Sequence, residues 1–190
     1  MLRAAPLVTL IALLSTPAGA TGEIVNLITA ADQKRLDAYD ATRKQAVEEA
    51  QAGSPSDRAV LAKVLDAPPL PWSDFDLTGD WECRTIKAGG LADLVVYGWF
   101  KCRVTDDGAG WTLTKLTGSQ RTKGRFFTDS DTRLTYLGSL GLNNDPFPAY
   151  GANPDSDQVG YAFRTGAASW RIEFPAPRYE SKLDVLELRR

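Results

Sequence analysis

The sequence predicts a mainly β protein: an N-terminal helical pair followed by an antiparallel, about eight-stranded small barrel, with a β-sandwich as the alternative. Three observations carry this. From Leu77 onward, short runs rich in β-branched and aromatic residues are separated by turn residues at regular spacing. The stretch LTGDWECRTIKAGGLADLVVYGWFKCRV, residues 77–104, reads as two strands around a glycine turn with one cysteine on each. Residues 24–66 lack strand alternation and repeat their apolar positions at helical spacing.

The chain opens on MLRAAPLVTLIALLSTPAGA, with Arg3, an apolar run from Leu7 to Leu14 and an Ala18-Gly19-Ala20 site. This is the pattern of a signal peptide over residues 1–20, cut between Ala20 and Thr21. The apolar run is too short to span a bilayer, and no later segment is long enough. The expected location is therefore the periplasm, or outside the cell, with no membrane span.

Residues 21–66 form the helical lead-in, expected to pack on the barrel. Thr29 with Asp32 three positions on resembles a capping box, and Ile28 before it can staple the entry. Leu36, Tyr39, Ala46, Val47 and Ala50 give one apolar face, and Gly53 stops this helix. A second starts at Ser54-Pro55-Ser56-Asp57, with serine as cap and proline at the first helical position. Residues 67–76, with Pro68, Pro69 and Pro71, are expected to run extended as a stiff linker.

Residues 77–190 are read as the disulfide-tied β domain, with strands at 79–87, 94–104, 110–117, 122–128, 132–140, 158–165, 168–174 and 181–189. In an oxidising compartment, Cys83 and Cys102 most simply pair with each other. Closing that loop would stabilise by roughly 3 kcal/mol in the chain-entropy picture. Placing the cysteines directly opposite pairs Trp81 with Val104 and Thr85 with Phe100. Alternation then puts Trp81, Phe100, Trp111, Leu113, Leu134, Tyr136, Leu140, Tyr161, Phe163, Trp170, Ile172 and Phe174 inside, and Ile86, Tyr97, Trp99, Leu116 and Phe127 outside. The outer set is where the helical pair is expected to dock.

Composition excludes several function classes. Apolar residues make up 43% and charged residues 24%, ordinary for a globular chain, and the net charge is −2. No basic patch points to nucleic acid. With no histidine, Ser-His-Asp and Cys-His catalysis and histidine metal sites are absent. No cofactor is expected. A histidine-independent hydrolase would need paired carboxylates, Glu173 with Glu180 or Asp80 with Glu82. The long stretch 142–157 is rich in Asn, Asp and Pro, and Phe147 and Tyr150 within it are candidate contact residues. Its Asp145, Asp155 and Asp157 lack the order of a calcium loop, so no metal site is read there.

Three segments carry a family resemblance. W-x-C-R at Trp81–Arg84, Y-G-W-F-x-C-R at 97–103 and P-x-P-x-x-E-S-K-L-D-V at 175–185 resemble an uncharacterised family of secreted bacterial proteins, DUF 4893. That resemblance implies bacterial export and brings no activity, cofactor or catalytic residue. Gly79, Trp81 and a terminal arginine are similar to calycin barrels such as lipocalins. There an arginine of the last strand covers the first-strand tryptophan, which implies a barrel-closing contact between Trp81 and Arg189 (or Arg190). The architecture is also similar to periplasmic metalloprotease inhibitors, although a helical pair and a linker stand where their inhibitory tail lies. The function expected is a non-catalytic envelope module binding an unidentified protein or cell-envelope partner. The alternatives are a carrier of a small apolar ligand in a lipocalin-like barrel, and the carboxylate hydrolase.

Overall fold

A computed structural model of the protein describes residues 22–190. The signal-peptide reading of residues 1–20 and its cleavage point lie outside the described residues. The lead-in comprises α1 (Gly22–Leu27), α2 (Ala30–Asp37), α3 (Tyr39–Glu49), a 3-10 turn at Ala50–Ala52 and α4 (Pro55–Asp66). The expected pair is thus four short helices. Thr29 caps α2 as expected, its Oγ1 accepting from the Asp32 amide at 3.2 Å; α1 precedes it, and the helix expected to run on to Gly53 is divided at Ala38. Ser54 caps α4 likewise, accepting from the Asp57 amide at 3.1 Å. Among the described residues no helix is long and apolar enough to cross a membrane.

Nine strands follow: β1 (Gly79–Gly90), β2 (Leu94–Val96), β3 (Phe100–Asp106), β4 (Trp111–Lys115), β5 (Gln120–Ser130), β6 (Arg133–Leu142), β7 (Asp157–Gly166), β8 (Ser169–Pro175) and β9 (Ser181–Arg189). Each of β3 to β8 pairs antiparallel with the next, and β9 returns to β1 from Glu82↔Arg189 to Gly90↔Ser181. With β1 against β3, this closes an eight-stranded barrel without open edges. β2 pairs only with the upper half of β1. The single strand expected over 94–104 is divided at Tyr97-Gly98-Trp99, hence nine strands instead of eight.

That break also corrects the register. Trp81 faces Cys102, Cys83 faces Phe100 and Gly79 faces Val104. The pairing is displaced by two residues from the one expected, and a two-residue shift keeps every side chain on its face. Both cysteines therefore still point inward. Their disulfide runs diagonally between the strands, with 5.9 Å between Cα atoms. Reduction with dithiothreitol is expected to lower the melting temperature by roughly 5–10 °C. An unchanged melting curve after complete reduction would show that the hairpin holds without it.

The barrel interior changes character along its axis. At the lower end, where β1 begins, Trp81, Trp170, Leu77, Leu188, Ile172 and Val104 form a close-packed floor. Residues 67–77 run across it. Leu70 donates its amide to the Arg164 carbonyl at 2.8 Å, Trp72 Nε1 donates to the Ser130 carbonyl at 2.6 Å, and Phe75 lies 5.7 Å from the Trp170 ring. The linker is thus a plug. Arg190 completes it, standing 4.3 Å over Trp81 and donating to the carbonyls of Thr78 and Asp76. Arg189, the residue first expected there, points outward because neighbours on a strand face opposite ways. It stacks on Trp99 at 3.8 Å and pairs with Glu82 at 2.9 Å.

At mid-height Tyr136 lies between Phe126 and Phe174, and its hydroxyl is 2.6 Å from Thr122 Oγ1. Gly124 and Gly138 face each other beneath it. A Cβ on either would come within 2.6 Å of the Tyr136 ring or hydroxyl, so the tyrosine requires both glycines. On β7 the expected faces are reversed: Gly160 and Ala162 point inward, while Tyr161 and Phe163 lie outside. Tyr161 packs edge-on against Tyr39 of α3 at 4.9 Å, and Phe163 lies under Arg171. The interior is already filled there by Tyr136 and Phe174, which leaves β7 room only for small residues.

The helices cover the outer face. Ala46, Ala50, Leu61, Val64 and Leu65 pack on Ile86, Ala88, Leu94, Leu183 and Val185 of β1, β2 and β9. Ile24 and Leu36 pack on Leu137 and Val159 of β6 and β7. Of the outer residues expected beneath the helices, Ile86 and Phe127 are covered, whereas Tyr97 and Leu116 are exposed.

Candidate functional site

The upper end of the barrel is polar, and strand alternation places it there. On β1 the inward series Trp81, Cys83, Thr85 continues to Lys87. On β4 Trp111 and Leu113 lead to Lys115, which faces Cys102 across β3. Gln120 and Thr122 precede Gly124 on β5, Gln158 precedes Gly160 on β7, and Asp184 precedes Leu186 on β9. The disulfide therefore lies at the boundary between aromatic floor and charged throat.

The two buried lysines differ in their partners. Lys87 Nζ donates to Gln120 Oε1 at 3.0 Å and forms a short ion pair with Glu180. Burial opposes its charge, but Asp184 and Glu180 outweigh burial and hold its pKa above the usual range. Lys115 has no carboxylate within ion-pair distance among the described residues. Its ammonium contacts Thr85 Oγ1 at 3.4 Å and lies 4.3 Å from the Phe100 ring centre. Burial pushes the Lys115 pKa down to about 8, with Asp184 opposing and Lys87 adding to the shift. Burial also raises Asp184 to about 6, offset in part by Lys87 and by the Ser181 hydroxyl that donates to it at 2.5 Å. Gln158 Oε1 is buried in the same throat without a hydrogen-bond partner among the described residues.

Space is available above these groups. A cavity of about 110 Å³ is bounded by Thr85, Lys87, Tyr97, Phe100, Lys115 and Glu180. It meets, at Gln120 and Glu180, a mouth groove of about 650 Å³ beneath Leu91, Leu140, Leu142, Pro146 and Tyr179. The rim of this end carries Leu91, Tyr97, Leu116, Leu142 and Tyr179, all exposed, Leu91 at 88%. Glu180, at the end of the β8–β9 connection, has φ 69°, in the left-handed region that non-glycine residues seldom occupy. Its carbonyl accepts from the Leu91 amide at 2.8 Å and its carboxylate holds Lys87, so contacts on both sides fix this strained backbone at the mouth.

The carboxylates proposed in pairs from sequence are each held by separate cationic partners. Glu173 points outward from β8 and is sealed under α3, while Glu180 sits at the mouth. Asp80 pairs with Arg103 and Glu82 with Arg189, both on the exposed surface. The long loop is pinned by its aromatics. Phe147 lies under the Arg121 guanidinium at 4.9 Å, and the Tyr150 hydroxyl donates to Asp32 at 2.7 Å while accepting from the Thr29 amide. Both side chains remain half-buried. Asp155 pairs with Arg178, and Asp157 accepts from the Gly151 amide. Among the described residues no group of three or more acidic or cysteine side chains is placed to hold a metal ion.

Reading the residues for catalytic pairs missed Lys87, Lys115, Asp184, Gln120 and Gln158. A signal for them exists: each is polar at the inward position of a strand whose other inward positions are apolar or small.

The family described as "Domain of unknown function (DUF4893)" matches residues 25–188 of the chain. Comparison with curated proteins and with solved structures finds no match.

Proposed function

We propose that this chain, which belongs to the DUF4893 family, is an exported, non-catalytic binding module that takes one small amphiphilic ligand into the open end of its barrel. The observation that carries this reading is the buried Lys115 ammonium, unpaired by any carboxylate among the described residues, in a throat that opens on an apolar rim. A buried cation without its counter-charge is costly, and its free donors favour a ligand that brings an acceptor. The apolar rim suits the rest of the ligand. The filled lower half argues against a wholly apolar molecule lying along the barrel axis. Export is supported by the signal-like residues 1–20 and by the disulfide.

A series of ten-carbon probes differing only in headgroup tests this. Decanoate is expected to raise the melting temperature of the protein and to bind at least tenfold more tightly than decyltrimethylammonium. Lys115→Met is expected to abolish that preference. Equal binding of the cationic and anionic probes, or no binding of either, would overturn the reading and favour a protein partner instead.

A further inference from the structure

We infer that Lys115 is a reactive amine that captures aldehydes or ketones at the barrel throat as a reversible imine. This rests on the ligand-site reading above and assigns the headgroup a chemistry. Of the two throat lysines, Lys87 is committed by its ion pair with Glu180 and its bond to Gln120, whereas among the described residues Lys115 has a long contact to Thr85 and the Phe100 face and no ion pair. A lysine desolvated beside a second cation is the environment that frees an amine for nucleophilic attack near neutral pH. With its pKa lowered to about 8, on the order of a tenth of Lys115 is neutral at pH 7.

The step balances without any oxidant or reductant. The neutral Nζ attacks the carbonyl carbon and forms a C–N bond, and the carbonyl oxygen takes a proton to give a carbinolamine. Loss of that oxygen as water leaves the C=N bond, and returning water reverses it. The two protons that leave with that oxygen come from Nζ, and the Thr85 hydroxyl, 3.4 Å from it, can relay them. The cavity of about 110 Å³ admits a carbonyl carbon with small flanking groups, while the apolar rim accepts a tail. The titratable groups facing the amine are Lys87, Asp184, Glu180 and Tyr97.

The test is reductive trapping of the full mature chain with decanal and sodium cyanoborohydride. Limiting reagent is expected to add one decyl group per chain, mapped by peptide mass spectrometry to Lys115. Its rate should exceed that of surface lysines at least tenfold and rise with a midpoint near pH 8. Decanoate should protect it, and Lys115→Arg should remove it. Alkylation spread over surface lysines, or directed to Lys87, would overturn the inference. If decanoate binds and Lys115 is not trapped, the imine inference fails while the binding reading stands. If decanoate does not bind either, both fail.

Discussion

Replacing Glu173 by leucine is expected to destabilise the protein by about 3–5 kcal/mol, the cost of stranding buried partner charges, and so to lower the melting temperature by roughly 10–15 °C. Glu173 is fully buried, and both carboxylate oxygens are used. Oε2 accepts from Tyr39 Oη and Arg43 Nε, each at 2.8 Å, and Oε1 accepts from Arg171 Nε at 2.6 Å. The Arg43 side chain is 31% exposed and can turn to water when its partner is lost. Arg171 is 5% exposed and cannot. It is also held between the Ala67 carbonyl at 2.7 Å and the Phe163 ring. Most of the loss should therefore come from the stranded Arg171 guanidinium.

The same carboxylate joins three parts of the chain: α3 through Tyr39 and Arg43, β8 through its own backbone, and the linker through Arg171. Glu173→Leu should thus loosen the helices before the barrel. Limited proteolysis is expected to cut first within residues 22–66, leaving a fragment that retains the disulfide. Adding Arg171→Met to Glu173→Leu should recover about half of the loss, since an apolar replacement of both partners leaves no orphan charge. A single variant as stable as the parent in urea melts would show that the cluster contributes nothing net.

Glu173 also illustrates how far the sequence could be read. Its outward direction follows from alternation with Trp170, Ile172 and Phe174, and the eight strands of the barrel, though not the extra β2, the inward cysteines and the helix caps were legible from equally local patterns. What local pattern does not contain is what lies across from a residue. Alternation alone assigns Tyr161 and Phe163 to the inner face, where the apolar series of the other strands continues. They are buried, or partly so, but under α3 and Arg171, because Tyr136 and Phe174 had already filled the interior. Arg189 is the residue expected over Trp81, with Arg190 as the alternative, and only the register of β9 against β1 separates them. The throat was overlooked for a related reason. A lysine or aspartate on a strand normally reads as solvated surface. Only barrel closure turns the inward positions of β1, β4 and β9 into one enclosed set.

That enclosure gives the throat an energetic signature, and Lys115→Met should expose it. Lys115 is ionised at neutral pH in both the folded and the unfolded chain, yet only the folded chain charges it in a buried place. Its folded pKa of about 8 lies below the ordinary 10.5. Between these values the unfolded chain binds more protons, so this group's contribution makes stability climb with pH across that window. Below pH 8 the burial cost is present in full. The shift sets a ceiling of about 3 kcal/mol, and the contacts with Phe100 and Thr85 return part of it. Lys115→Met is therefore expected to gain about 1–2 kcal/mol at pH 7. The gain should shrink towards pH 10, measured as the difference between urea melts of parent and variant so that other titrating groups cancel. The same substitution should weaken decanoate binding at least tenfold. A side chain whose removal strengthens the fold and empties the site is kept for what it binds. If the variant is instead less stable at pH 7, Lys115 is a structural cation, and the throat loses its strongest argument for a ligand.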